Sequence, residues 1–127
     1  MKPNKIPYQN QRKVHDFIVA KLKKNYLTHI AEAYIIGSLV NGTFGTYETE
    51  HEGYGGSDID VVVITEKINP TWKYKGEFYN WHTSYLVGEI TIKKTVHPIN
   101  YMIPFNTDLS IFLKVAKKKD WKMEKIK

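Results

Sequence analysis

Apolar residues recur along this chain with two periods, and the periods mark out its elements. Between about Asn10 and Tyr26, Val14, Phe17, Ile18 and Leu22 fall at helical spacing, with Lys21, Lys23 and Lys24 outward or near the end. This predicts a first helix. Glu32 to Ile36 is a short apolar run of strand type, and Asp58 to Thr65 is a second. Leu39 to Gly45 can start only a short helix, because Gly42 and Gly45 weaken it. Thr46 to Gly56 is polar and ends in glycines, so it reads as a loop. Trp72 to Trp81 is aromatic-rich and fits either a strand or an irregular helix, with Gly76 against a long helix. Glu89 to Lys93 and Thr95 to Ile103 read as two strands or one bent strand. Pro98 lacks an N–H and is expected at an edge or a bulge. Asn106 or Thr107 is expected to cap a last helix, with Asp108 near its positive end and Leu109, Phe112, Leu113 and Ala116 as its apolar face.

The second strand carries the chemistry. Ser57-Asp58-Ile59-Asp60 leads into Val61-Val62-Val63-Ile64. Successive side chains on a strand point to opposite faces, so Asp58 and Asp60 share one face while Ile59, Val61 and Val63 anchor the other. Two carboxylates held this close repel unless a positive charge lies between them. A hard divalent cation such as magnesium prefers such oxygens, often together with substrate phosphates. Upstream, Tyr34-Ile35-Ile36 runs into Gly37-Ser38. Glycine lets the backbone approach a ligand, and free amides at a strand-to-helix turn suit a phosphate.

Length and composition narrow the setting. The 127 residues suffice for a single domain, 1–127, with a modest core. Absence of cysteine excludes disulfides and thiolate zinc sites. The polar stretch from Met1 to Gln11 has no apolar signal region, and no apolar run is long enough to span a bilayer. The expected setting is therefore cytoplasmic. The formal charge of +6 invites a nucleic-acid reading, but it gathers between Lys114 and Lys127, where a solvated helix face and a frayed basic tail are the simpler expectation. The aromatics Trp72, Tyr74, Phe78, Tyr79 and Trp81 could stack a base, although core packing is their commoner use. His51 among Glu48, Glu50 and Glu52 reads as part of a solvated loop rather than a metal site.

Gly37-Ser38-Leu39-Val40-Asn41-Gly42, followed by Ser57-Asp58-Ile59-Asp60, resembles the DNA polymerase beta-like nucleotidyltransferase superfamily. More narrowly, it resembles the minimal nucleotidyltransferases, over roughly the first half of the chain. The resemblance implies an α+β nucleotidyltransferase fold, a small mixed β-sheet with helices packed against it. It implies that Gly37, Ser38 and Ser57 hold a nucleoside triphosphate, ATP first among them, and that Asp58 and Asp60 are catalytic and bind Mg2+ or Mn2+. It implies transfer of a nucleoside monophosphate to a hydroxyl acceptor, with a small helical HEPN-type protein as the candidate partner and the chain as its antitoxin. The pattern departs in three places. Asn41 stands where the family often has arginine. Nineteen residues separate Ser38 from Asp58, a surplus assigned to a surface insertion at Thr46 to Gly56. The family's third carboxylate is not evident: His97 lies where an acid is expected, with Glu89 and Glu77 as other candidates. Two other classes stay open, an inactive nucleotide- or partner-binding module of the same fold and a nonspecific nucleic-acid-binding protein.

Overall fold

The computed structural model describes residues 2–127. Strand β1 (Lys5–Pro7) precedes helix α1 (Gln11–Asn25), which begins where the Asn10 side chain accepts a hydrogen bond from the Lys13 N–H at 3.1 Å. Strand β2 (Glu32–Ile36) leads into a single helical turn, α2 (Ser38–Asn41). Strands β3 (Gly45–His51), β4 (Tyr54–Gly56) and β5 (Ile59–Ile64) follow. Next come β6 (Lys73–Phe78), β7 (His82–Ile92) and β8 (Thr95–Pro104). The chain closes with helix α3 (Leu109–Lys119) and strand β9 (Glu124–Lys125). This is a mixed α+β architecture. No helix among the described residues is long and apolar enough to cross a membrane.

The main sheet has the order β6-β7-β8-β5-β2-β9, and only the β5–β8 pair is parallel. Both of its faces are covered, so the central strands are nearly continuous in apolar residues rather than strictly alternating. One face presents Ala33, Ile35, Ile59, Val61, Val63, Ile99, Tyr101 and Ile103, and α1 lays Ile18 and Leu22 against it. The other presents Tyr34, Ile36, Val62 and Met102 to Phe112 and Ala116 of α3 and to Trp81. Each fully buried large aliphatic side chain contributes about 1.5–3 kcal/mol. Phe17 and Leu113, on the apolar faces by spacing, stay exposed at the rims.

Several elements differ from the sequence reading. The expected loop at Thr46 to Gly56 is a hairpin, and with β1 it forms a second sheet of order β1-β3-β4. Its tip, Glu52-Gly53, is left-handed at φ 53° and 85°, the twist that two-residue hairpin turns require. The ambiguous aromatic stretch is β6, which turns into β7 through Tyr79 and Asn80 at φ 54° and 60°. Strands β7 and β8 form one long hairpin around Lys93 and Lys94, also left-handed. Pro98 lies in an interior strand, but β5 joins β8 only from Ile59 opposite Ile99 onward, so the proline is unpaired on that side. Asp108, not Asn106 or Thr107, caps α3 by accepting from the Ser110 N–H at 2.9 Å. The basic end is not a frayed tail: β9 pairs with β2, Ile126 is buried, and the Lys127 carbonyl accepts from the Ala33 N–H at 3.0 Å.

Candidate functional site

The antiparallel pairing of β2 with β5 sets Ile36 opposite Asp60. The next residue, Gly37, therefore turns beside that carboxylate. Gly37 has φ 77°, and a Cβ built on it would lie 3.1 Å from Asp60 Oδ2. A side chain here would be strained by the backbone and crowded by the acid, so the position suits only glycine. The Gly37 carbonyl accepts from the Val40 and Asn41 amides at 3.1 and 2.9 Å and so closes the turn α2. The first amides of such a turn, those of Ser38 and Leu39, have no intrahelical partner, but neither residue lines a cavity beside the aspartates.

Asp58 and Asp60 line a common cavity, as their shared strand face requires. Burial raises the Asp58 carboxyl above the ordinary range. Asp60 is pushed up to about 6, first by burial and then by the Asp58 charge, while the Asn100 amide opposes the shift. Lys2 and Lys5, before and at the start of β1, add positive potential, yet no ion pair to either aspartate forms among the described residues. The pair is thus a half-buried concentration of carboxylate oxygen with no ion-pair partner among the described residues. That donor set fits a magnesium or manganese ion.

Two cavities meet at this point. The first, about 300 Å³, reaches from Asp58 and Asp60 across Asn100 to Ser84 and His82. The second, about 530 Å³, runs from Gly37, Asn41 and Asp60 to Lys119, Trp121 and Lys122. Asp60, Tyr79 and Met102 belong to both. Tyr79 is 80% exposed at its left-handed hairpin tip, an uncommon conformation for a bulky residue, and it stands at the junction. At the far end of the first cavity, His82 accepts from or donates to Ser84 Oγ through Nδ1 at 3.1 Å. Its Nε2 is buried without a partner among the described residues, and burial lowers its pKa to about 4.

The other sequence candidates fall elsewhere. Ser38 heads α2 but lines neither cavity. Ser57 is fully buried; its hydroxyl donates to the Gly45 carbonyl at 2.9 Å and accepts from the Gly45 N–H at 3.0 Å. It ties the start of β5 to β3 instead of facing the cleft. Glu89 accepts from the Tyr54 hydroxyl at 2.8 Å, and Glu77 pairs across β6 and β7 with Thr83; neither lines a cavity with the aspartates. The parallel β5–β8 register sets Asn100 beside Asp60, and its Nδ2 donates to Asp60 Oδ1 at 3.3 Å. The later strand thus presents an amide, and neither His97 nor an acid, to Asp60. Period-two alternation from Ile99, Tyr101 and Ile103 would have put Asn100 on the Asp60 face, but only the register pairs the two.

His97 points into the opposite, α1-covered face. Its Nδ1 donates to the Ser57 carbonyl at 2.9 Å, which leaves Nε2 to accept from the Tyr8 hydroxyl at 2.8 Å. Phe44 packs against the ring at 4.5 Å, and burial lowers the pKa, so the imidazole is neutral. This network holds the backbone one residue before Asp58. His97→Leu would leave a buried carbonyl and a hydroxyl unpaired and is expected to cost about 2–4 kcal/mol in urea unfolding. Unchanged stability would show that the network does not anchor the strand.

Among the described residues, no group of three or more His, Asp or Glu side chains converges to hold a metal. Comparison with family models, curated proteins and solved structures gives no match to this chain.

Proposed function

We propose that the chain has a nucleotidyltransferase fold and binds a nucleoside triphosphate, ATP first, together with magnesium or manganese. It would transfer the nucleoside monophosphate to a hydroxyl acceptor in the cytoplasm. One observation carries this reading: the Gly37 turn lies so close to Asp60 that a Cβ added to the glycine would sit 3.1 Å from Oδ2, and Asp60 belongs to both cavities. The order of β2, antiparallel β5 and parallel β8 supports it, because it gathers the turn, the aspartates and the later strand at one end of the sheet. Asp58 and Asp60 would hold the metal, which when bound aligns phosphates and offsets charge developing at the α-phosphorus. Gly37 lets phosphate oxygens approach the backbone amides, and Asn100 orients Asp60. The acceptor oxygen would bond to the α-phosphorus as the bond to pyrophosphate breaks in line, and the hydroxyl proton would pass to solvent. A HEPN-type protein, with this chain as its antitoxin, is the acceptor that the sequence resemblance favours.

Asn100 favours a second reading. An amide cannot take the proton of an acceptor hydroxyl, so the site could bind nucleotide without transferring it. Incubation with labelled ATP, magnesium and candidate acceptors, neighbouring encoded proteins included, separates the two. Label transfer by the wild type that is lost in Asp58→Asn is the expected result. Asn100→Asp, which restores a third carboxylate, should raise transfer by tenfold or more, within the usual range for general-base assistance of about 10²–10⁴. Tight metal-dependent binding with no transfer, except after Asn100→Asp, would establish the binding module.

A further inference from the structure

We propose that Lys119 and Lys122 form the phosphate-binding wall of the second cavity and supply the positive contact that Asn41 lacks. The inference rests on the nucleotide-binding reading above. Helix α3 ends at Asp120, which is left-handed at φ 54° and donates its N–H to the Ala116 and Lys117 carbonyls. The Trp121 N–H donates to the Ala116 carbonyl at 2.9 Å, so the chain folds back at once. Trp121 then packs partly on the core cluster of Phe112 and Trp81. The reversal carries Lys119 and Lys122, on either side of it, to a cavity whose opposite wall is Gly37, Asn41 and Asp60. Pairing of β9 with β2 fixes the segment beyond the turn.

The cavity therefore carries both signs of charge. Lys119 and Lys122 line it together with Gly37 and Asn41 of the turn, the carboxylates Asp60 and Asp120, and the apolar side chains of Ile36, Met102 and Trp121. The lysines favour an anion, while Asp60 admits one only with a divalent cation between them. A metal-chelated polyphosphate chain satisfies both demands. At about 530 Å³ the cavity is within the range of small-ligand sites. Lys117 and Lys118 lie in the same helical turn but do not line it. They serve as an internal control for charge and for favourable interaction with the helix end.

The test is titration of tripolyphosphate with magnesium into the full chain, read by tryptophan fluorescence and by calorimetry, with ATP as competitor. Lys119→Gln/Lys122→Gln should weaken tripolyphosphate and ATP alike by about tenfold or more, as loss of charge-assisted contacts predicts. Lys117→Gln/Lys118→Gln should leave both within about twofold, and the two double variants should melt at similar temperatures. Equal weakening by both pairs would reduce the effect to general charge and overturn the wall. Magnesium-dependent ATP binding that ignores Lys119 and Lys122 would also overturn it, yet leave the nucleotide reading intact. Absence of any ATP or tripolyphosphate binding by the wild type would remove both.

Discussion

Replacing Asp60 with asparagine should make the protein more stable and less able to bind nucleotide. Asp60 is pushed up to about 6 by burial and by Asp58, against an ordinary aspartate near 3.8. The folded state therefore holds the proton more tightly than the unfolded state. Such a group costs stability above its folded pKa, and the cost is relieved as pH falls from about 6 to about 4. Asparagine keeps the shape and removes the charge. At neutral pH and without metal, Asp60→Asn is expected to gain on the order of 2 kcal/mol in urea unfolding. The gain should shrink below pH 6. Only the difference between variant and wild type isolates this effect. His82, lowered to about 4, and His97, also lowered, lose stability as pH falls, with the opposite sign. Magnesium-dependent ATP binding should drop roughly a hundredfold or more, beyond what loss of an outer-shell partner costs. A variant that is destabilised, or that still binds magnesium-ATP at wild-type strength, would contradict the assignment of Asp60. Stability held below its optimum at one position is the expected signature of a functional site.

Gly37→Val should do the reverse in stability while sharing the loss of binding. A valine at φ 77° is strained in any environment, and here its Cβ would meet Asp60 Oδ2 at 3.1 Å. The expected cost is about 1–3 kcal/mol in thermal or urea unfolding. Triphosphate affinity should fall below detection, because the β-branched side chain would cover the backbone at the turn. Ser38→Ala should be milder, since Ser38 lines neither cavity. Calorimetric titration of ATP with magnesium into a variant shown to be folded by circular dichroism decides the matter. Retained affinity in folded Gly37→Val would make the turn merely structural.

The carboxylate pair, the glycine turn and the central strands were legible in the sequence because their signals are local. Period two puts Asp58 and Asp60 on one face whatever the fold around them, and Glu32–Ile36 and α1 follow from short apolar runs and helical spacing. The same period places Ser57 with Ile59 on the core face, where its hydroxyl is spent on Gly45. Three hairpins were not fully legible. Their turns put Glu52, Tyr79, Asn80, Lys93 and Lys94 in the left-handed region, and only one contains a glycine to announce it.

What lies beside Asp60 was decided by tertiary structure alone. His97, Glu89, Glu77 and Asn100 are separated from it by long stretches of chain, and nothing local sets their distance. The parallel register of β5 against β8 selects Asn100, and a shift of one residue would have turned a different side chain into the cleft. The basic end shows the same limit. Lysine spacing records charge, but the left-handed Asp120 and the pairing of β9 with β2 determine that Lys119 and Lys122 line the cavity while Lys117 and Lys118 do not. Sequence fixes which groups a strand or helix presents on one face. Which groups from distant segments meet depends on register and chain reversal, and these are settled only when the whole sheet and its two covering helices pack.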